Sequence, residues 1–204
     1  VDALLLGGAG RGPGFRALLP PHGIARQVHG VDPVVGRQIE AGLGRMREAL
    51  LTAPDDLVIG NAYRMQVFHL RREVLASVEG REGLAPRMPA ALEGQPVEFL
   101  TRLAREHPSR ETRLQLALAW ADEILLFGAL EIKAPASVES VTLLSQILAE
   151  NPSYVPALYG RGLNYVHRPA RLVWPEIEKA PPDAARRDFG RCVAIGRRLG
   201  GASP

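Results

Sequence analysis

Three prolines constrain what this chain can fold into. Pro54, Pro108 and Pro152 stand in "MREALLTAPDD", "LTRLAREHPSR" and "LSQILAENPSY", each at the end of a helix-forming run. A proline lacks the amide hydrogen and its ring collides with the preceding turn, so it ends a helix arriving from its N-terminal side. Eight residues before each is a large apolar residue (Met46, Leu100, Leu144), and twelve before is a small or helix-starting one (Gly42, Pro96, Ser140). Positions four apart share a helix face. A helix-ending unit that recurs with fixed internal spacing points to a series of short antiparallel helices.

From Asp32 onward the apolar residues follow helical periods. The first helix spans about 34–52, with Ile39, Leu43, Met46 and Leu50 on one stripe. The second runs about 56–77 with Leu57, Ala62, Met65, Phe68 and Leu75 along it, and the third 97–107 with Leu100, Leu103 and Ala104 inward. The fourth, about 110–127, carries Leu114, Ala117, Leu118, Ala121 and Leu125. After a loop at 129–136 holding Pro135, Ser137 is expected to cap a fifth helix to 150. A sixth spans 153–167, and Asp183 can cap a seventh that stops at Gly200-Gly201. No alternating strand follows residue 35, and only 5 % of residues are aromatic, which favours helix over sheet. The expected fold is all-α, with residues 1–35 as a Gly/Pro-rich arm and 36–204 as the helical domain.

The arm's "LLLGGAGRGPG" invites comparison with phosphate-binding loops. It carries no Gly-Lys-Ser/Thr ending, and a G-x-G-x-x-G starting at Gly8 meets Pro13 where the third glycine belongs. No helix pattern follows to offer its N-terminus to a phosphate.

The residues after Pro152 carry a resemblance. Leu158, Gly162 and Tyr165 fill the Trp, Gly and Tyr slots of the W-x2-L-G-x2-Y signature, with Arg161 in place of its Leu. After Pro108 a similar set (Leu116, Ala117, Trp120) lies one residue early; after Pro54, Arg64 and Val67 stand at the Gly and Tyr slots. The chain over roughly 38–200 resembles the tetratricopeptide repeat. That resemblance implies an α-solenoid of about three antiparallel helix pairs plus an N-terminal helix. Gly162 would then be a helix-contact residue, and Tyr165 would pack within its pair.

The family holds a peptide in a concave surface lined by the first helix of each pair. The residues carried to that surface are Asn61, Met65 and Phe68, then Leu114 and Leu118, then Tyr159 and Leu163. Only Asn61 echoes the family's Lys/Asn clamp for a terminal carboxylate, which argues against an EEVD-type chaperone tail. Insertions at about 78–95, 129–136 and 168–182 lengthen each unit beyond about 34 residues. They are expected to project from one edge. They bring Arg81, Arg87, Lys133, Arg168, Arg171, Trp174 and Lys179, of which Arg168, Arg171, Trp174 and Lys179 are candidate partner contacts.

No catalytic constellation is legible. Cys192 is the single cysteine, lies mid-helix and reads as a buried inert thiol; it allows no intrachain disulfide. His22, His29, His69, His107 and His167 form no ligand pair, and neither metal nor cofactor is expected. The carboxylates read as solvated partners of nearby arginines: Glu40 with Arg37, Glu73 with Arg72, Asp122 with Arg113. A net charge of +3 is no dense basic stripe, so nucleic acid is disfavoured. No apolar run spans a bilayer. The start at Val1 reads as a processed or partial chain, and no targeting segment is visible, which tilts the expectation toward the cytoplasm. The expected role is a non-enzymatic scaffold for a protein or peptide partner. The alternative is a structural subunit of a larger enzyme or membrane-bound complex.

Overall fold

The structure, a computed structural model, describes residues 33–78, 92, 95–126, 130–167 and 183–200. Seven helices account for nearly all of them: α1 (Pro33–Thr52), α2 (Leu57–Val78), α3 (Gln95–Glu106), α4 (Arg110–Leu126), α5 (Leu130–Glu150), α6 (Val155–His167) and α7 (Ala184–Gly200). There is no strand among the described residues. The arm up to residue 32 and most of the first and third insertions lie outside them.

Local chemistry explains the helix starts. The Asp56 carboxylate accepts from the amides of Val58 (2.8 Å) and Ile59 (3.0 Å), the donors that a helix N-terminus leaves unpaired. At α4, Ser109 Oγ accepts from the Thr112 amide while Thr112 Oγ1 accepts from the Ser109 amide, both at 3.1 Å. This reciprocal arrangement has the logic of a capping box. Asn151 folds the chain into α6 by accepting from Ser153 through its side chain and from Tyr154 through its carbonyl.

One boundary departs from expectation. The helix predicted from Ser137 begins at Leu130 and runs through Pro135, so the expected 129–136 loop is mostly helix. Pro135 forfeits only the bond to the carbonyl of Glu131, near the helix start, and its ring is exposed. Ser137 is buried within the helix and caps nothing.

Contacts fix the directions. Arg113 reaches Glu150 and Ser140 donates to the Ala117 carbonyl, so α4 and α5 run antiparallel. Arg161 reaches Ser145 and Asn164 reaches Ser140, so α5 and α6 also run antiparallel. It follows that α4 and α6 are parallel. Gly60 sits against Gln115 and Arg71 pairs with Glu123, so α2 parallels α4. The helices entered after each proline, α2, α4 and α6, thus pack side by side in series. The turns before them line up as well: Ser109 bonds Asp55, and Arg110 lies 4.3 Å over the Tyr154 ring.

Two apolar clusters form. The first gathers Ile39, Leu43, Leu50, Tyr63, Val67, Leu70, Leu92, Leu100 and Leu103 with Leu116 and Ala119 of α4. The second gathers Leu114, Ala117, Leu144, Ile147, Leu148, Ala157 and Leu158. The stripe expected on α1 is the buried one. On α2 the buried face is Tyr63, Val67 and Leu70 rather than the run through Met65 and Phe68. This helix has neighbours on several sides, so one sequence stripe does not describe its burial.

Candidate partner-binding face

The leading helices carry the candidate surface. On α2, Asn61 is exposed and Met65 and Phe68 are half-buried. Spaced four and three residues apart, they share one face. Asn61 Oδ1 accepts from Arg64 at 2.8 Å, and the Phe68 ring meets His69 edge-on at 5.7 Å. On α6, Tyr159 and Leu163 are half-buried and share a face with Val166, which is 58 % exposed. The Tyr159 ring lies 5.8 Å from Phe189, so it leans onto α7.

The α4 expectations need correction. Leu114 is 2 % exposed and belongs to the second cluster, so it is not offered to a partner. Leu118 is half-buried because α6 comes close: a Cβ on Gly160 would sit 3.1 Å from Leu118 Cδ2. Leu125, on the same predicted apolar run as Leu114 and Leu118, is 54 % exposed. Packing against α2, α3, α5 and α6 at once leaves α4 little open surface, and its free apolar side chain falls at its C-terminal end. Arg168, Arg171, Trp174 and Lys179 lie outside the described residues.

Gly162 behaves as the repeat resemblance implies. A Cβ there would lie 2.7 Å from the Phe189 ring, so the bare backbone is what admits α7. Arg161, standing where the signature has Leu, makes two 2.8 Å bonds to buried Asp188. Its departure from the pattern is a cross-helix ion pair. Tyr165 is half-buried, with the Arg161 guanidinium 6.0 Å from its ring.

The largest miss is electrostatic. Asp122 does not pair with Arg113. It receives Arg64 Nη1 at 2.5 Å, and both side chains are almost buried. Glu123 receives both terminal nitrogens of Arg71, the second at 3.0 Å, and both residues are again buried. Arg113 instead holds Glu150 at 2.6 and 2.7 Å, and Glu40 pairs with Arg47 rather than Arg37. A signal existed: Arg64 and Arg71 are seven apart on one face, and Asp122-Glu123 interrupt an otherwise apolar run, "ALAWADEILLFGAL". Acids inside such a run are buried with the helix and must find cations across the interface.

Burial pushes the Asp122 carboxyl up to about 6, against the opposing pull of Arg64. A shifted acid can mark a catalytic site, but ion-pair networks shift acids too. Both arginines here lock the carboxylates to a neighbouring helix. Burial, reinforced by Asp188, raises the Cys192 thiol, which disfavours the thiolate a nucleophile needs. Among the described residues no three His, Cys, Asp or Glu side chains gather as a metal site, and no helix is long and apolar enough to cross a membrane.

No protein family, curated protein or solved structure matches this chain. Its described residues form an all-α architecture of seven helices packed as hairpins.

Proposed function

We propose that the chain is a tetratricopeptide-like α-solenoid whose open positions on α2 and α6, flanking the largely covered α4, bind a protein or peptide partner. One observation carries the reading: α2, α4 and α6 lie parallel in series, each followed by a companion helix, so the open side chains of α2 and α6 stand on parallel rods either side of α4. Parallel rods with open apolar and polar positions suit an extended or helical segment, whose side chains alternate between anchors and solvent. Phe68, Met65, Tyr159 and Leu163 supply partly exposed anchors, and Asn61 supplies a polar contact. Aromatic anchors commonly carry about 2 kcal/mol or more each at an interface.

The test places a photo-crosslinking amino acid at Phe68 or Val166, with the exposed α3 positions Glu98 and Arg105 as controls, in extract of the source cells. The reading expects a discrete adduct from the leading helices and none from α3. No adduct from Phe68 or Val166, or equal adducts at the controls, removes it. The exposure of Val58 (79 %), Leu125 and Val166 favours a second reading, a permanently assembled subunit. That reading expects the isolated chain to self-associate at micromolar concentration and to become monodisperse when purified with its neighbour.

A further inference from the structure

The array has two end helices, α1 and α7, and they are charged differently. α3 packs between α2 and α4, and α5 between α4 and α6, whereas α1 packs principally on α2 and α7 on α6. The described helices therefore leave the outer side of each end helix uncovered. α1 carries Arg37, Arg45 and Arg47 together with Glu40 and Glu48, and Arg47 holds Glu40 at 2.7 Å. Interspersed signs of this kind suit a face that meets water. α7 carries Arg186, Arg187, Arg191, Arg197 and Arg198, and its single acid, Asp188, is buried and held by Arg161. Five arginines against one aspartate leave +4 on these 17 residues, more than the +3 of the whole chain.

This charge works against the helix that bears it. Arg186 and Arg187 stand in the first turn, where the helix dipole disfavours a cation, and Arg187 and Arg191 repel each other four residues apart. Asp183 relieves only Arg187, at 3.2 Å. Among the described residues, Arg186 and Arg197 meet no carboxylate; Arg191 donates to the Pro152 carbonyl and Arg198 to that of Ala194. All five arginines are exposed. Helical spacing sorts them into two rows, Arg186 with Arg197 and Arg187 with Arg191 and Arg198. Between the rows lie Gly190 and Ala194, also exposed, with nothing within 4 Å of where a Gly190 Cβ would stand.

We propose that the outer face of α7 docks an acidic helix of a partner protein, seated where the next helix of the array would lie. Charge complementarity sets the partner's sign. Guanidinium rows on both sides of the strip match carboxylates on both flanks of the incoming helix, and Arg forms such interface pairs well because its fork is planar and weakly hydrated. The array sets the partner's form: α3 and α5 are each covered on a second side by the helix that follows, and α7 is not. This face is separate from the open positions of α2 and α6, and the conclusion stands whether or not those take a partner.

The test measures fluorescence anisotropy of the full chain with a stapled helical peptide that carries Ala along one face and Glu on both flanks. A peptide of the same composition with its glutamates spread around the helix is the control. The patterned peptide is expected to bind at least about tenfold more tightly than the control, with an affinity that falls as salt rises. Arg186→Gln with Arg197→Gln should weaken binding about tenfold or more and flatten the salt dependence. Gly190→Leu should block the strip while leaving the helical circular dichroism and melting midpoint intact, since its side chain enters open space. No binding, equal binding of the two peptides, or full binding by Gly190→Leu overturns the proposal. So does tighter capture of the chain by phosphatidylglycerol vesicles that the double Arg variant abolishes, which would assign the face to a lipid surface.

Discussion

Gly162 and Gly190 lie on facing helices and have opposite surroundings. Gly162 on α6 is pressed by Phe189, whereas Gly190 on α7 has nothing within 4 Å of where a Cβ would stand. Gly162→Leu should destabilise the protein by about 1–3 kcal/mol through overpacking. Gly190→Ala should stabilise it by about 0.5–1 kcal/mol through helix propensity. Urea unfolding of the two variants checks both signs, and a neutral Gly162→Leu would contradict the close α6–α7 approach. Asp122 adds a pH-dependent term. Its folded pKa of about 6 lies above the ordinary carboxylate value, so its contribution is fully present below about pH 4 and is lost as pH rises through about 6. The difference in unfolding free energy between the protein and Asp122→Asn should change by about 2–3 kcal/mol over that window. A difference that is flat with pH would mean that Asp122 titrates normally. At this scale Gly162 was legible because a small residue in a patterned slot has few explanations. The pairing of Asp122 with Arg64 was not, because the partners are 58 residues apart and Arg113 looked as plausible.

The helices themselves were largely readable, and the reasons are local. Prolines and capping residues act within a turn, so Pro54, Pro108, Pro152 and Asp183 marked ends that need no distant contact. The start of α5 was misread because a proline also occurs inside a helix when its lost bond lies near the N-terminus. Pro135→Ala should restore the bond to the Glu131 carbonyl and stabilise the protein by about 1–3 kcal/mol, since the ring faces solvent. Thermal unfolding decides it: an unchanged midpoint would place the helix start after Pro135. The faces of α2 were less legible than its ends. Met65 and Phe68 are as apolar as Val67 and Leu70, and only the presence of α1 and α3 on one side chose between them.

Across the whole molecule, two apolar clusters meet at α4. Each should be damaged separately. Leu100→Ala and Leu144→Ala remove fully buried side chains from the first and second cluster, and each should cost about 2–5 kcal/mol. Hydrogen exchange should then accelerate mainly in α1–α3 for the first variant and in α5–α6 for the second, because local opening follows cooperative units. Uniform acceleration in both would mean one cooperative core. The sequence by itself determined that the chain is helical, where most helices begin and end, and that Gly162 lets a neighbour approach. These are properties of one turn or one face, set by backbone sterics and side-chain size. Only the tertiary structure decided which faces are buried, that Leu114 is core while Leu125 is open, and that Arg64 and Arg71 clamp Asp122 and Glu123. Burial and charge pairing depend on what arrives from elsewhere in the chain, and no local pattern encodes that distance.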